Sequence, residues 1–163
     1  MITPDIIDAT TPPREGMPLV ERTVVQCIVR HAFKDLYLLL EKVSWDTSLR
    51  SFVTGGIEEG EDPVQSGVRE LAEEAGYTNT VGATEIGEPY GVQFYHESKK
   101  KNRRAIVHTI AARLADMTQV EVAEEEKAQN RPIWVPADEV IQTVHGEGCK
   151  RVFKQYLAAQ QEK

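Results

Sequence analysis

Residues 55–77 read GGIEEGEDPVQSGVRELAEEAGY. Three glycines, Gly55, Gly56 and Gly60, make a loop, and a helix from Asp62 to Ala75 follows it. Both helix ends are punctuated. Asp62 suits the N-cap, Pro63 the first helical position and Gln65 the third, where it completes a capping-box-like pair; Gly76 suits the left-handed residue that ends a helix. At about 100° per residue, Val64, Val68, Leu71, Ala72 and Ala75 share one apolar arc, while Arg69, Glu70, Glu73 and Glu74 fall on the opposite arc. The apolar arc is expected to pack on a sheet.

The polar arc is unfavourable on its own. Glu70 faces Glu73 at i+3 and Glu74 at i+4, and like-charge pairs of this kind cost roughly 0.2–0.5 kcal/mol each. The three also sit in the C-terminal half of the helix, where the macrodipole disfavours each anion by a further ~0.3–1 kcal/mol. Arg69 offsets only part of this. A cluster of hard oxygen ligands on one rigid face fits Mg²⁺ or Mn²⁺, which take carboxylates and keep water and phosphate oxygens in their other positions. A solvated acidic face is the plain alternative for any charge run. The preceding loop argues against it, since its glycines permit close backbone approach and can aim carbonyls at a cation. Glu61, eight positions before Arg69, can pair with that guanidinium and clamp the loop to the helix.

Outward from this segment, Glu21–Arg30 and Leu36–Lys42 read as strands, joined by the short connection HAFKD into an expected hairpin. Residues 50–54 add a short strand. Beyond the helix, residues 80–97 and 104–115 read as two long strands around the basic turn SKKKNR. A polar acidic stretch follows, then the strand RPIWVP, a helix over Ala137–Val144 and a closing helix over Cys149–Gln160. Residues 1–18 read as an irregular N-terminal extension or edge segment, and residues 19–163 as a single domain. Strands around an interior helix, with more helices at the end, predict an α/β fold whose mixed sheet is covered on both faces.

Composition agrees with a globular domain: 163 residues, 40% hydrophobic and 28% charged. The net charge of −7 disfavours nucleic acid and anionic membranes as partners, so a polyanionic substrate would need a metal or a basic patch. Cys27 and Cys149 suggest neither a disulfide framework nor a zinc site. His31, His96, His108 and His145 show no metal-pair spacing. The first residues lack a basic region and an apolar stretch, and no apolar run approaches ~20 residues, which predicts a cytoplasmic protein without membrane insertion.

Gly55, Glu61, Arg69, Glu70, Leu71, Glu73, Glu74, Gly76 and Tyr77 fill, in order, the signature G-x5-E-x7-R-E-U-x-E-E-x-G-U, with U a bulky apolar residue. On these positions the chain resembles the Nudix (MutT-like) hydrolase superfamily, with Tyr77 where an aliphatic residue is usual. The order of the surrounding strands, and the Trp134 strand followed by a helix, are similar as well. The resemblance implies an α/β/α sandwich with a mixed β-sheet. It implies hydrolysis of a pyrophosphate bond in a nucleoside diphosphate linked to another moiety, by water attack at phosphorus with Mg²⁺ or Mn²⁺. Carried over by position, Glu73 and Glu74 become metal ligands, and Glu70 a ligand or the base that activates water. Arg69 and Glu61 become the structural ion pair, and Thr54 supplies a backbone carbonyl to the metal. The family often adds a glutamate from a distal loop, for which Glu125 and Glu126 in the run Glu124–Glu126 are candidates; a solvated loop is the alternative. Two departures stand out. Val53-Thr54 replaces the common Pro-Gly, and Gly67 replaces the usual Ala at a cost of roughly 1 kcal/mol unless something packs close to it.

Other signals are weaker. Lys99, Lys100, Lys101, Arg103 and Arg104 form a dense basic patch, either a phosphate- or RNA-binding surface with Arg104 as the substrate contact, or a turn made soluble by charge. Tyr90, Phe94 and Tyr95 either stack on a base or pack in the core. Tyr95 stands 18 residues beyond Tyr77, which is similar to the tyrosine placement in dinucleoside polyphosphate hydrolases. The partner implied is a small nucleotide-type molecule, and the family's frequent dimers imply a possible homodimer. Two other classes stay open. A silent nucleotide- or RNA-binding Nudix module usually lacks box glutamates, all of which are present here. A purely structural acidic protein would be indifferent to metal.

Overall fold

The structure, a computed structural model, describes residues 4–43 and 49–162. Its centre is a mixed sheet. Strand β2 (Leu19–Arg30) carries the run Val25–Val29, buried on both faces, as suits a strand inside a covered sheet. Along its whole length it pairs in parallel with β7 (Lys101–Leu114), and through Val24–Cys27 it pairs antiparallel with the short β5 (Val53–Gly56). Strand β6 (Thr80–His96) runs antiparallel to β7. Two irregularities break its register; they contain Gly82 and Gly87, both at positive φ, and Pro89, which could not donate to a regular ladder.

The expected hairpin between the first two strands is present, antiparallel but short. β2 and β3 (Tyr37–Lys42) share only the Arg30–Tyr37 pair and then splay apart. β3 finds its partners in β8 (Asn130–Val135) and β4 (Arg50–Ser51). The N-terminal segment contributes β1 (Ile6–Ile7), parallel to β6 at the sheet edge; residues 1–3 lie outside the described part. The acidic run is helix α2 (Glu124–Gln129), not a loop. Lys101, Arg103 and Arg104 belong to β7, so the basic turn is shorter than expected.

Helix α1 (Pro63–Ala75) covers one face of the sheet, over a core of Val25, Cys27, Val29, Leu38, Val53 and Ile110. Helices α3 (Ala137–Thr143) and α4 (Glu147–Gln161) cover the other, over Ile28, Leu39, Phe52, Val107 and Phe153. This is the expected α/β/α sandwich. Among the described residues, no helix is long and apolar enough to cross a membrane.

Candidate active site

The loop and helix are held by the predicted local chemistry. Asp62 accepts from the Gln65 backbone N–H at 2.9 Å, and Gln65 returns a bond by accepting from the Asp62 N–H at 3.0 Å. Gly76 closes the helix at φ 80°. Gly67 explains itself in three dimensions: a Cβ there would sit 2.8 Å from Ile110 Cγ1 and 3.1 Å from Cys27 Sγ. The helix therefore approaches the sheet more closely than any side chain would allow, and burial offsets the propensity cost.

The face that seats on the sheet is the one Gly67 marks, and Glu74, seven positions on, shares it. The buried positions are Ser66, Gly67, Leu71, Glu74 and Ala75, so Glu74 leaves the polar arc where the apolar pattern put it and lies on the covered side. Val64, Val68 and Ala72 are only partly buried. Glu74 is 8% exposed, and its Oε2 has no hydrogen-bond partner. Burial pushes its carboxyl pKa up to about 8; Lys42 acts against that rise, and Glu70 and Glu126 add to it.

Arg69 organises the remaining acids. Its Nε and Nη2 donate to Glu61 at 2.8 and 2.9 Å, the bidentate clamp expected of the pair. Nη2 also donates to the Gly56 carbonyl at 3.0 Å, which ties the glycine strand to the helix. Nη1 donates to Glu70 at 2.9 Å and to Glu73 at 3.3 Å. The guanidinium, with a backbone N–H from Glu58, lowers the Glu61 carboxyl to about 2. Burial raises Glu70 above the ordinary carboxylate range, against the pull of Arg69. Gly55 lies under Glu70 so closely that a Cβ would occupy the place of its carboxyl group.

This donor set suits a hard divalent cation. Glu70, Glu73 and Glu74 are oxygen ligands on one helix, Glu74 presents a buried oxygen with no partner, and Gly55 leaves the space a carboxylate needs. Among the described residues, no three potential ligands already converge as a closed cage. Arg69 Nη1 instead lies against two of the three carboxylates, Glu70 and Glu73.

The other predicted residues divide. Thr54 is in β5, directly before Gly55, and its Oγ1 donates to the Phe52 carbonyl at 3.0 Å. Glu126 is half-buried, close enough to Glu74 to raise its pKa, and accepts from Asn130 Nδ2 at 3.3 Å. Glu125 is exposed on α2. Tyr95 is covered by the Arg14 guanidinium, 3.8 Å from its ring centroid, and Arg104 is bound to Asp5 and Glu21. Neither is brought together with the carboxylates. Lys42, the cation facing Glu74, was missed; it ends β3 opposite Asn130, and that long-range pairing has no signal in its own segment. Tyr77 suits its place because its hydroxyl accepts from Trp134 Nε1 at 3.1 Å.

Comparison with known proteins bears on the family and the fold. The family profile of the NUDIX domain matches residues 20–156. Among solved structures, the E. coli dihydroneopterin triphosphate pyrophosphohydrolase aligns with a TM-score of 0.63 at 15% identity, covering 87% of this chain and 99% of that one. The C. elegans Ap4A hydrolase aligns with a TM-score of 0.64 at 18% identity, covering 87% and 99%. A structure from work on MutT of Aliivibrio salmonicida and Vibrio cholerae aligns at 0.57 and 19% identity, covering 85% and 98%. No curated protein matches the chain significantly in sequence.

Proposed function

Because this chain belongs to the NUDIX domain family and is a Nudix hydrolase, we propose that it cleaves the pyrophosphate bond of a small nucleoside diphosphate derivative in a reaction that depends on Mg²⁺ or Mn²⁺. The observation that carries this is the pairing of Glu74, buried with an unpartnered oxygen, with Glu70 seated on the bare backbone of Gly55. A solvated acidic face would have no reason to bury one of its carboxylates, at a cost of several kcal/mol when ionised.

In this proposal Glu70, Glu73 and Glu74 hold the cation, with the Thr54 carbonyl and Glu126 as further oxygen donors. The cation, when bound, neutralises the phosphates and lowers the pKa of water. Glu70 accepts the proton of the attacking water; its burial raises its basicity, which favours that role. The water oxygen forms the new bond to phosphorus as the bridging P–O bond breaks, and the leaving phosphate carries the electron pair. Arg69 and Glu61 position Glu70 and the glycine strand and touch neither reacting atom. The catalytic domain spans residues 19–163, and the setting is cytoplasmic.

The test is product release from nucleoside triphosphates, dinucleoside polyphosphates, ADP-ribose, NADH and nucleotide sugars in Mg²⁺ and in Mn²⁺, beside Glu74→Gln. Metal-dependent turnover lost in the variant supports the proposal. Folded, metal-loaded protein without turnover of any of these replaces it with a binding module.

A further inference from the structure

The two halves of the basic patch end on opposite faces of the sheet. Arg104 lies with Asp5 at 2.6 Å and Glu21 at 2.9 Å. Arg103, its neighbour, points the other way: alternate residues Ala105 and Val107 belong to the core on the α3 and α4 side. Arg22 points to the same face, because Val24 and Ile28 of its strand pack there while Val25 and Cys27 lie under α1. In the parallel register Arg103 is opposite Val20 and Arg22 is opposite Ala105, which makes the two arginines diagonal neighbours on adjacent strands.

Among the described residues neither has a carboxylate within 4 Å. Arg103 is alone in this among the buried or half-buried arginines described: Arg30, Arg50, Arg69 and Arg104 each have one. Arg103 is the most buried of all at 6% exposure, its Nε has no partner, and the nearby charge that acts on it is the like charge of Arg22. His96 on the same face has its pKa lowered, by burial and then by Arg103, Lys99 and Arg22. In a chain of net charge −7, two guanidiniums left facing each other without a counter-ion leave a position for an anion.

Gly56 joins this position to the candidate active site. A Cβ there would lie 3.0 Å from Arg22 Nε and overlap its Nη2, just as a Cβ on Gly55 would overlap Glu70. The carboxylate and the guanidinium thus flank one bare dipeptide from opposite faces of β5, roughly 10 Å apart from strand geometry. A single phosphate cannot span that distance, whereas a polyphosphate chain crossing Gly55–Gly56 can.

We propose that Arg22 and Arg103 form an anion subsite that holds a phosphate beyond the one attacked, so that the enzyme selects nucleotides with an extended polyphosphate chain over nucleotide sugars. This rests on the hydrolase reading of the carboxylate site. Its test separates the two. Tripolyphosphate binding is measured calorimetrically in EDTA for the wild type, Arg22→Gln, Arg103→Gln and Glu74→Gln. The two arginine variants are expected to lose about tenfold in affinity each, while Glu74→Gln retains it. With metal, Arg22→Gln is expected to raise KM about tenfold for a dinucleoside tetraphosphate, with kcat unchanged and nucleotide-sugar kinetics unmoved. Because Arg22 is exposed, its variant reports even if Arg103→Gln fails to fold. Tripolyphosphate binding by folded Arg22→Gln equal to wild type overturns the subsite even where turnover is normal. Arginine-dependent binding without any turnover upholds the subsite and removes only the hydrolase reading.

Discussion

Glu74→Gln is expected to inactivate the protein and yet stabilise its metal-free fold, by an amount that grows with pH. In the folded chain Glu74 keeps its proton up to about pH 8, whereas an ordinary glutamate loses it near 4.5. A carboxyl raised in this way contributes its full stability below 4.5. The contribution is lost as pH climbs toward 8, because only the unfolded chain releases the proton. Each full pH unit in that window is worth about 1.4 kcal/mol, and with titration only partial at both ends the wild type gives up about 3.5 kcal/mol through this group between pH 5 and pH 8. Glutamine does not titrate and escapes the loss. For a chain of this length about 3.5 kcal/mol corresponds to roughly 7–14 °C in Tm. Thermal melts in EDTA at pH 5, 6, 7 and 8 are therefore expected to diverge by that amount, the variant being the more stable at high pH. Saturating Mg²⁺ is expected to close or reverse the gap, since the cation stabilises only the protein that can bind it. Parallel curves for the two proteins across this range would refute the argument, whatever their offset.

Three further outcomes follow from the same geometry. Mg²⁺ binding at pH 7 is expected to release close to one proton, read by calorimetry in two buffers of different ionisation enthalpy; release should fade above pH 8 and vanish in Glu74→Gln. Gly55→Ala puts a methyl group where the Glu70 carboxyl lies and is expected to lower kcat about a hundredfold with little change in Tm, since a misplacement of about 1 Å at the reacting groups costs that much. Gly67→Ala is expected to destabilise by about 1–3 kcal/mol in urea unfolding, despite the better helix propensity of alanine, because the methyl group meets Ile110; Ile110→Val should recover part of it.

What was legible in the sequence was local. The caps at Asp62, Gln65 and Gly76 and the Glu61–Arg69 clamp depend on residues within a few positions of one another, and each stands where its spacing put it. Glu74 shares a helix face with Gly67, whose contact with Ile110 and Cys27 is made by residues distant in the chain, and an arc drawn through the apolar residues alone placed it with the exposed acids. The splaying of β2 from β3 has a similar origin. Both strands are apolar enough to be central, but β2 gives its second edge to β5 through Val24–Cys27 while β3 pairs along its length with β8. The acidic run read as loop-like because it lacks an apolar stripe; its helix is short and has no buried residue. The basic cluster was legible as a patch, but strand alternation divided it between two faces.

The ladders on the two sides of β2 differ in extent. Against β7 it is zipped from Leu19 to Arg30, but against β5, which carries Thr54, Gly55 and Gly56, only from Val24 to Cys27. Local opening costs least where a seam is short and edged by glycine. Amide protons of Gly55, Gly56 and Ile57 should therefore exchange well before those of Ile110 and Ala111, whose strand stays zipped. The part of the molecule that must admit and release a ligand breathes on its own, without asking the rest of the sheet to melt.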